Sequence, residues 1–270
     1  MRTLVCIDTE TATLQGAPHL LELGAVRIEE GEIVDHFETL VCPAVPIDPG
    51  ATEIHGITDR DVRSAPFAAE ALAQFSEFVG NDWMAAHNAP FDTRVLGFEY
   101  KRAGLTPPPG MFLDSLPLAR RYIPEAPDHK LITLCQMLDL EEGDHHRALA
   151  DSVWCWKVLE ACLERASSQG AAALDALLEH RGRPLTIASR APAPARMSPR
   201  LRPLERALRD GETVQILYGE NALGSRPIEV LPRLLYESHA KSYLEAEFLQ
   251  GGDLRTYRLD RVHKVLPAGA

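Results

Sequence analysis

Residues 3–10 read Thr-Leu-Val-Cys-Ile-Asp-Thr-Glu, a short apolar run that ends in two acidic residues two positions apart. Alternate side chains of a strand point to the same side, so the carboxylates of Asp8 and Glu10 are expected to share one patch at a strand end. Adjacent carboxylates repel each other and raise each other's pKa unless a cation lies between them. The same pair also occurs where a strand simply ends in a polar turn, so this stretch does not decide the chemistry by itself.

The elements that follow this run predict the fold class. Apolar runs at 20–28 and 33–41 flank residues 29–32, whose glycine suits a tight hairpin turn, so three antiparallel strands are expected. Beyond them the patterns predict a helix at 66–79, a strand at 83–86, a helix after Asn88, a strand at 111–113, helices at 116–122 and 131–138, and a long helix at 147–165. Antiparallel strands followed by alternating strands and helices indicate an α/β layered domain with a mixed sheet.

The amino-acid composition limits the classes of protein to which the chain can belong. The chain has 270 residues, of which 45% are hydrophobic and 25% charged, which is room for one large domain or two domains. Its five cysteines form no Cys-x-x-Cys pair, which favours reduced thiols over a disulfide frame or a zinc site. The sequence offers no signal peptide and no apolar run long enough to span a membrane, so a cytoplasmic protein is expected.

Charge is distributed unevenly along the chain. Residues 1–165 hold 13 Lys and Arg against 27 Asp and Glu, whereas residues 196–270 hold 12 against 10. Such an acidic first part argues against tight, non-specific binding of a duplex by a broad basic face. It leaves open an enzyme that holds a few nucleotides through divalent cations.

Two later stretches offer further acids. Residues 87–92 read His-Asn-Ala-Pro-Phe-Asp, in which Asn88 suits a helix N-cap and Asp92 lies in the first turn. Residues 146–151 read His-Arg-Ala-Leu-Ala-Asp at the start of the long helix. A capped helix needs no catalytic role for an early Asp92, and spacing alone does not choose between His145 and His146.

The three stretches together resemble the three exonuclease motifs of the DEDDh superfamily of 3′–5′ exonucleases, which includes the proofreading epsilon subunit of bacterial DNA polymerase III. Residues 21–26 (Leu-Glu-Leu-Gly-Ala-Val), 55–58 (His-Gly-Ile-Thr) and 146–152 also match. The resemblance covers residues 1–165. It implies a ribonuclease-H-like α/β fold with a mixed five-stranded sheet flanked by helices.

The resemblance also implies residue roles. The four metal-binding acids fall on this chain at Asp8, Glu10, Asp92 and Asp151, with His146 as the general base that accepts a proton from the attacking water. Asp8 is expected to bridge two divalent cations, Mg²⁺ or Mn²⁺, with Asp92 on the second ion. The pocket for the terminal nucleotide is expected at Thr11, His55, Asn88 and Phe91, although Phe91 equally suits the core and His55 a loop cap.

The rest of the chain divides into a spacer and a second domain. Residues 166–199 are expected to form a linker with one short helix at 171–178 and an extended Ala/Pro run at 191–195. Residues 200–270 predict a small β-rich domain with strands at 213–218, 228–235, 242–248 and 256–259. This part is similar to the WYL domain, although Ser242 stands where the naming triplet has tryptophan.

A phosphate-binding or ligand-binding face of this second domain would comprise Arg226, Tyr243, Arg255, Arg258 and Arg261. Cross-strand salt bridges on a solvated sheet explain the same arginines equally well.

The sequence therefore predicts a metal-dependent 3′–5′ exonuclease that removes nucleoside 5′-monophosphates from single-stranded DNA ends in proofreading or repair. DNA is favoured over RNA, and a polymerase or a repair protein is the expected partner. The alternatives are a 3′–5′ exoribonuclease of the ribonuclease T or oligoribonuclease type, and a regulatory single-strand-binding protein that keeps the exonuclease fold as a scaffold.

Overall fold

The computed structural model describes residues 3–140, 147–168, 185–219 and 226–268. Contacts divide the chain into two compact units, Met1–Ala191 and Pro192–Ala270, and each is described by itself. Among the described helices, none has both the length and the apolar character that crossing a bilayer requires.

The first unit is built on one mixed sheet. Its strands are β1 (Leu4–Thr11), β2 (Leu20–Glu29), β3 (Glu32–Leu40), β4 (Trp83–Ala86) and β5 (Phe112–Asp114). They lie in the order β3-β2-β1-β4-β5, with β1, β2 and β3 antiparallel and β4 and β5 parallel to β1. Glu30 and Gly31 both have positive φ, as a tight hairpin turn between β2 and β3 requires. The expected α/β fold with a mixed five-stranded sheet flanked by helices is confirmed.

The helices of this unit cover both faces of the sheet. They are α1 (Pro49–His55), α2 (Ala68–Val79), α3 (Pro90–Ala103), α4 (Ser115–Tyr122), α5 (Leu131–Met137), α6 (Ala148–Ser168) and the short α7 (Ile187–Arg190). One core joins α2 and α3 to Val5 and Ile7 of β1. The other joins α4, α5 and α6 to Cys6 of the same strand. Because side chains alternate along β1, one face of this strand therefore meets α3 and the other meets α6.

Three details differ from the sequence interpretation. Helix α1 was not predicted, because its seven residues carry no long apolar period; it begins at Pro49 after the capping side chain of Asp48. Asn88 is not the N-cap of α3: it has φ 66°, a left-handed conformation that asparagine tolerates, and Ala89 occupies the cap position.

The third difference concerns the segment expected to be a linker. Helix α6 continues to Ser168, and Ile187 is buried in the core formed with α2 and α3. The main-chain N–H of Phe112 donates to the carbonyl of Leu185 at 2.8 Å, so this segment extends the pairing at β5. Part of the expected linker is thus packed structure, and the helix expected at 171–178 lies outside the described residues.

The second unit is a small β-rich domain with one longer helix. Strands β7 (Val214–Tyr218), β8 (Ile228–Ser238), β9 (Lys241–Phe248), β10 (Leu254–Arg258) and β11 (Val262–Pro267) form an antiparallel sheet in the order β10-β9-β8-β7-β11. The two-residue β6 (Ala193–Pro194), expected to be spacer, pairs with β8. Helix α8 (Arg202–Asp210) buries Leu204 and Ala207 against the sheet. The expected β-rich fold is confirmed, whereas α8 and β11 were not predicted.

Candidate active site

The end of β1 places two carboxylates on the face that α6 covers. Asp8 and Glu10 follow Cys6 at intervals of two residues, so all three side chains point toward α6. Asp151 lies in the first turn of that helix. One ligand oxygen from each of these three half-buried acids lies within 4.8 Å of the other two.

The fourth expected acid approaches from the opposite side of the strand. Asp92 lies in the first turn of α3, is 1% exposed, and accepts a hydrogen bond of 2.8 Å from the hydroxyl of Thr9. Thr9 points to the α3 face of β1, because it alternates with Asp8 and Glu10. Asp92 is not one of the three acids with oxygens within 4.8 Å. Of the neighbouring charges that raise the pKa of Asp8, however, that of Asp92 acts most strongly, followed by Asp151.

Burial and mutual repulsion disfavour ionisation of all four acids. Burial, then the charges of Asp92 and Asp151, raise the pKa of Asp8 well above its ordinary value. Burial and the charge of Asp151 raise the pKa of Glu10 to about 8. Burial raises the pKa of Asp92 to about 7, and burial with the charge of Glu22 raises that of Asp151 to about 7. Such a cluster favours either bound protons or a cation that replaces them.

The donor set fits a hard divalent cation. All of its atoms are carboxylate oxygens, which Mg²⁺ and Mn²⁺ prefer, and no thiol or imidazole nitrogen belongs to the group of three. The cysteines of this unit are free, and Cys6 and Cys155 lie buried in the core. A divalent cation held by Asp8, Glu10 and Asp151 would neutralise the repulsion that raises their pKa values.

The expected general base lies outside the described residues. His146 and His145 both fall in the undescribed segment 141–146. Arg147, the next residue along the chain, is described, and its guanidinium donates to Glu22 through Nε at 2.9 Å and Nη2 at 2.7 Å. The chain next to His146 is thus tied to β2.

The four residues expected to hold the terminal nucleotide have different surroundings. Phe91 is 44% exposed at the start of α3, which excludes the alternative that it belongs to the core. His55 is buried at the end of α1, and its Nδ1 accepts the main-chain N–H of Ile57 at 3.0 Å, which is the loop-cap arrangement. Thr11 is buried and donates to the carbonyl of Thr13, and the main-chain N–H of Asn88 donates to Asp114 at 3.0 Å.

Sequence reasoning missed three contacts around this site. Thr9 was given no role, yet its hydroxyl donates to Asp92 at 2.8 Å. Asp114 accepts from Asn88 and also caps α4 through the N–H of Leu116. Glu22 was quoted within a matching motif but given no role. The signal for Glu22 was its charge at a position inside an apolar strand.

In the second unit, two of the four arginines of the expected face pair with nearby acids, and Arg226 and Arg261 are exposed. Arg255 pairs with Asp253 at 2.7 Å, and Arg258 pairs with Asp260 at 2.5 Å. These are pairs between residues two apart in the chain, not cross-strand bridges. Tyr243 stacks on Tyr236 of β8, with ring centroids 5.3 Å apart and planes inclined by 18°.

Comparison with known families decides the class of the first unit. The model of the family described as "Exonuclease" (RNase T type) matches residues 5–159, which is more than half of the chain. The chain belongs to this exonuclease family. The WYL domain model matches residues 199–267. The expectation of an exonuclease domain followed by a WYL domain is thereby confirmed at the level of the family.

Individual relatives place this exonuclease more closely. It is 38% identical over 151 residues to DNA polymerase III PolC-type of Bacillus cereus, which covers 56% of this chain and 10% of that protein. It is 35% identical over 182 residues to the PolC-type polymerase of Bacillus subtilis, and this match covers 67% of this chain and 13% of that protein. The chain thus spans about a tenth of the length of these curated relatives.

One solved structure supports the fold. The nuclease domain of 3′hExo, described as a DEDDh family member bound to rAMP, superposes with a TM-score of 0.54 at 17% identity. It covers 63% of this chain and 94% of that one. At this identity the likeness concerns the fold alone.

Proposed function

We propose that this exonuclease removes nucleoside 5′-monophosphates from the 3′ end of single-stranded DNA with the help of two divalent cations, Mg²⁺ or Mn²⁺. The observation that carries the proposal is the convergence of Asp8, Glu10 and Asp151, whose ligand oxygens lie within 4.8 Å of one another. Residues 1–165 would carry the catalysis and residues 200–270 would form the WYL domain, with the first unit extending to Ala191 and the second beginning at Pro192.

The acids divide between the two proposed ions. Asp8, Glu10 and Asp151 would hold the first, and Asp8 with Asp92 would hold the second, as the resemblance to the exonuclease motifs implies. When bound, a pair of divalent ions stabilises the charge on the attacking and leaving oxygens of an in-line displacement. The four carboxylates would fix the ions, and the hydrogen bond from Thr9 would hold Asp92 in place.

His146 would accept the proton of the attacking water. An imidazole with an ordinary pKa of about 6.5 is well suited to that task near neutral pH. Arg147, which follows it, is fixed to Glu22 by two hydrogen bonds, so the chain at this point is held near the carboxylates. His146→Gln should lower kcat near neutral pH with little loss of metal affinity.

Phe91, Thr11, His55 and Asn88 would line the site of the terminal nucleotide. The ring of Phe91 is exposed one residue before Asp92, which suits stacking against the terminal base. His55 and Thr11 are buried and bonded locally, so each would have to turn toward the sugar or phosphate to bind it.

Relatives and neighbours bear on the choice of nucleic acid. The PolC-type relatives are DNA polymerases, which favours DNA and a role in proofreading or repair with a polymerase or repair partner. The neighbour bound to rAMP makes RNA the second candidate. The 2′-hydroxyl is the group that distinguishes the two substrates, so the same oligonucleotide must be compared in both forms.

The WYL domain would contact the same strand or a ligand that reports on it. Tyr243, stacked on the buried Tyr236, is a half-buried aromatic ring of this unit, and Arg226 and Arg261 are exposed elsewhere in it. Because Arg255 and Arg258 already bind Asp253 and Asp260, these two arginines would have to exchange partners to bind phosphate.

The test compares matched single-stranded DNA and RNA oligonucleotides, labelled at the 3′ end, with and without Mg²⁺ or Mn²⁺. The proposal predicts metal-dependent release of labelled mononucleotide, faster from DNA. Asp8→Asn should abolish release, whereas Asp35→Asn, an exposed acid on β3, should not change it. Release without metal, or full activity of Asp8→Asn, would refute the proposed site, and faster release from RNA would replace the proposed substrate.

A further inference from the structure

Glu22 is a buried acid that the proposed chemistry does not use. It lies on β2, its side chain is 0% exposed, and both of its oxygens accept hydrogen bonds. Oε1 accepts from Nε and Nη2 of Arg147, at 2.9 and 2.7 Å. Oε2 accepts from the main-chain N–H of Ala148 at 2.9 Å. Burying a charged carboxylate in the interior costs free energy, and the hydrogen bonds from Arg147 and Ala148 offset this cost.

The bond to Ala148 caps a helix from a neighbouring strand. Ala148 is the first residue of α6, and the first N–H groups of a helix have no partner within the helix. A carboxylate at this end also interacts favourably with the helix dipole. Glu22 thereby fixes where α6 begins, and Asp151 follows in the first turn, with its own N–H bonded to the carbonyl of Arg147 at 3.0 Å.

The register of the sheet connects this cap to the acidic cluster. In the β1–β2 ladder, Glu22 pairs with Glu10 and Gly24 pairs with Asp8. Directly opposed residues of an antiparallel pair point to the same face, so Glu22 and Gly24 both face α6. A side chain at Gly24 would overlap the backbone of Ala148. The two β2 residues opposite the proposed ligands Asp8 and Glu10 therefore both contact the start of the helix that carries Asp151.

The arrangement of Glu22 also separates it from the metal-binding acids. Its oxygens are occupied by Arg147 and Ala148, and it is absent from the group whose oxygens converge within 4.8 Å. The guanidinium of Arg147 neutralises its charge and reaches Glu38 of β3 at 3.6 Å. Two hydrogen bonds from the planar guanidinium to Oε1 set direction as well as charge, so a lysine would reproduce only part of the interaction.

From this geometry we infer that Glu22 is a positioning residue for phosphodiester hydrolysis, with Arg147 as its partner. The pair sets the location of Asp151 relative to Asp8 and Glu10, and it holds the main chain immediately after His146. The inference rests on the proposed function, because it assigns Glu22 a role in placing that site and not in contacting substrate or metal.

The test uses the full chain, Mn²⁺ and a short single-stranded DNA. Glu22→Gln keeps the size of the side chain but loses the charged acceptor for Arg147. Its kcat should fall by about 10- to 100-fold, as is typical when a residue that orients a metal ligand is changed. KM for the oligonucleotide should stay within about twofold, since Glu22 is buried and does not face substrate.

Variants of the partner test the pair itself. Arg147→Gln should lower kcat to a similar extent, and the double variant Glu22→Gln/Arg147→Gln should be no worse than either single one, because both remove the same interaction. Arg147→Lys should recover part of the lost kcat. Glu38→Gln removes the exposed acid that also lies near Arg147, and it should leave kcat unchanged.

Thermal melting separates a positioning role from unfolding. If Glu22→Gln does not fold, Arg147→Gln provides the test of the inference. Its side chain is 39% exposed, so replacing it should destabilise the fold less than replacing the fully buried Glu22. An unchanged kcat in the folded variants, a loss confined to KM, or additive losses in the double variant would overturn the inference. Failure of the proposed function looks different: the unmodified protein would show no metal-dependent release, or Asp8→Asn would remain active.

Discussion

Gly24 of β2 lies so close to Ala148 at the start of α6 that a β-carbon on Gly24 would overlap the helix backbone. The glycine pairs with Asp8 across the β1–β2 ladder, so the contact lies beside the acidic cluster. We expect Gly24→Ala to displace the first turn of α6 and to cost about 1–3 kcal/mol of the free energy of unfolding through overpacking. Thermal melting measures this cost. In the release assay, kcat should fall even at temperatures where the variant remains folded, so reduced stability alone would not explain the loss.

A matched change on an exposed strand provides the control. Val34 of β3 is 53% exposed, so Val34→Ala removes apolar atoms from the same sheet without altering the contact with α6. Both its melting temperature and its kcat should stay near those of the unmodified protein. If Gly24→Ala behaves in the same way, the glycine does not set the position of the helix.

The raised pKa values of the cluster predict how stability depends on pH in the absence of metal. Glu10 has a pKa of about 8 in the folded protein and about 4.5 when unfolded, and Asp92 and Asp151 have about 7 against 3.8. Because the folded state binds these protons more tightly, their stabilising contribution is complete below about pH 4 and is lost as the pH rises toward 8. A divalent cation that displaces the protons should therefore stabilise the protein more at higher pH.

The measurement is the shift in melting temperature that saturating Mn²⁺ produces, taken at several values between about pH 5 and about pH 8.5. The shift should grow with pH and should be much smaller in Asp8→Asn. In the metal-free state Asp8→Asn should melt higher than the unmodified protein near pH 8, because it removes a buried acid that its neighbours repel. A metal-induced shift that is independent of pH would contradict displacement of protons from these carboxylates.

His19 predicts an opposite dependence in another part of the same unit. It is 5% exposed, and burial together with the charge of Arg102 lowers its pKa to about 2. The unfolded chain takes up a proton near pH 6.5 whereas the folded protein does not, so this histidine destabilises the fold as the pH falls below 6.5. His19→Gln should reduce the loss of stability between about pH 7 and about pH 5 in denaturant titrations.

The exposed His36 of β3 is the control for this comparison. His36→Gln should leave the pH dependence of unfolding unchanged. An equal effect of both substitutions would show that burial of His19 is not the cause.

The segment that follows the undescribed residues 169–184 should contribute to the stability of the exonuclease unit. Ile187 is fully buried in the core with α2 and α3, and a β-carbon on Gly97 of α3 would lie 2.8 Å from the backbone nitrogen of Ala191. We expect Ile187→Ala to cost about 2–4 kcal/mol, as for other buried isoleucines. Arg190→Ala, on the exposed side of α7, should cost little. Equal melting temperatures for the two variants would show that the segment does not hold the core.

Long apolar periods made much of the fold predictable. The run ending at Asp8 and Glu10, the glycine turn at 29–32 and the long helix beginning near Arg147 all carry strong local patterns, and the structure has each of them. The short helices α1 and α7 carry no such pattern, because seven and four residues hold too few apolar positions to show a period. The packing of Ile187 depends on a core formed by residues far away in the sequence.

Some residues of the candidate site were predictable from the sequence, whereas the contacts between distant residues were not. The resemblance to the exonuclease motifs assigned Asp8, Glu10 and Asp151 as metal ligands, each at the start or end of an element with a clear pattern, and the structure brings these three together. The bond from Thr9 to Asp92 and the clamp of Glu22 on Arg147 join residues 83 and 125 positions apart. Such partners follow from the register of the sheet and from helix placement, which local spacing does not specify. Asn88 was predicted to be a helix cap because asparagine is common at that position. Asparagine also tolerates the left-handed conformation that Asn88 adopts, and its residue type does not distinguish the two.

The proposed function requires that Asp8, Glu10 and Asp151 hold a divalent cation. Anomalous diffraction from crystals soaked in Mn²⁺ tests it most directly, because the signal locates the ion without reference to activity. We expect a Mn²⁺ peak coordinated by oxygens of these three carboxylates, with a second peak between Asp8 and Asp92. Manganese bound elsewhere, with the three carboxylates left without an ion, would contradict it.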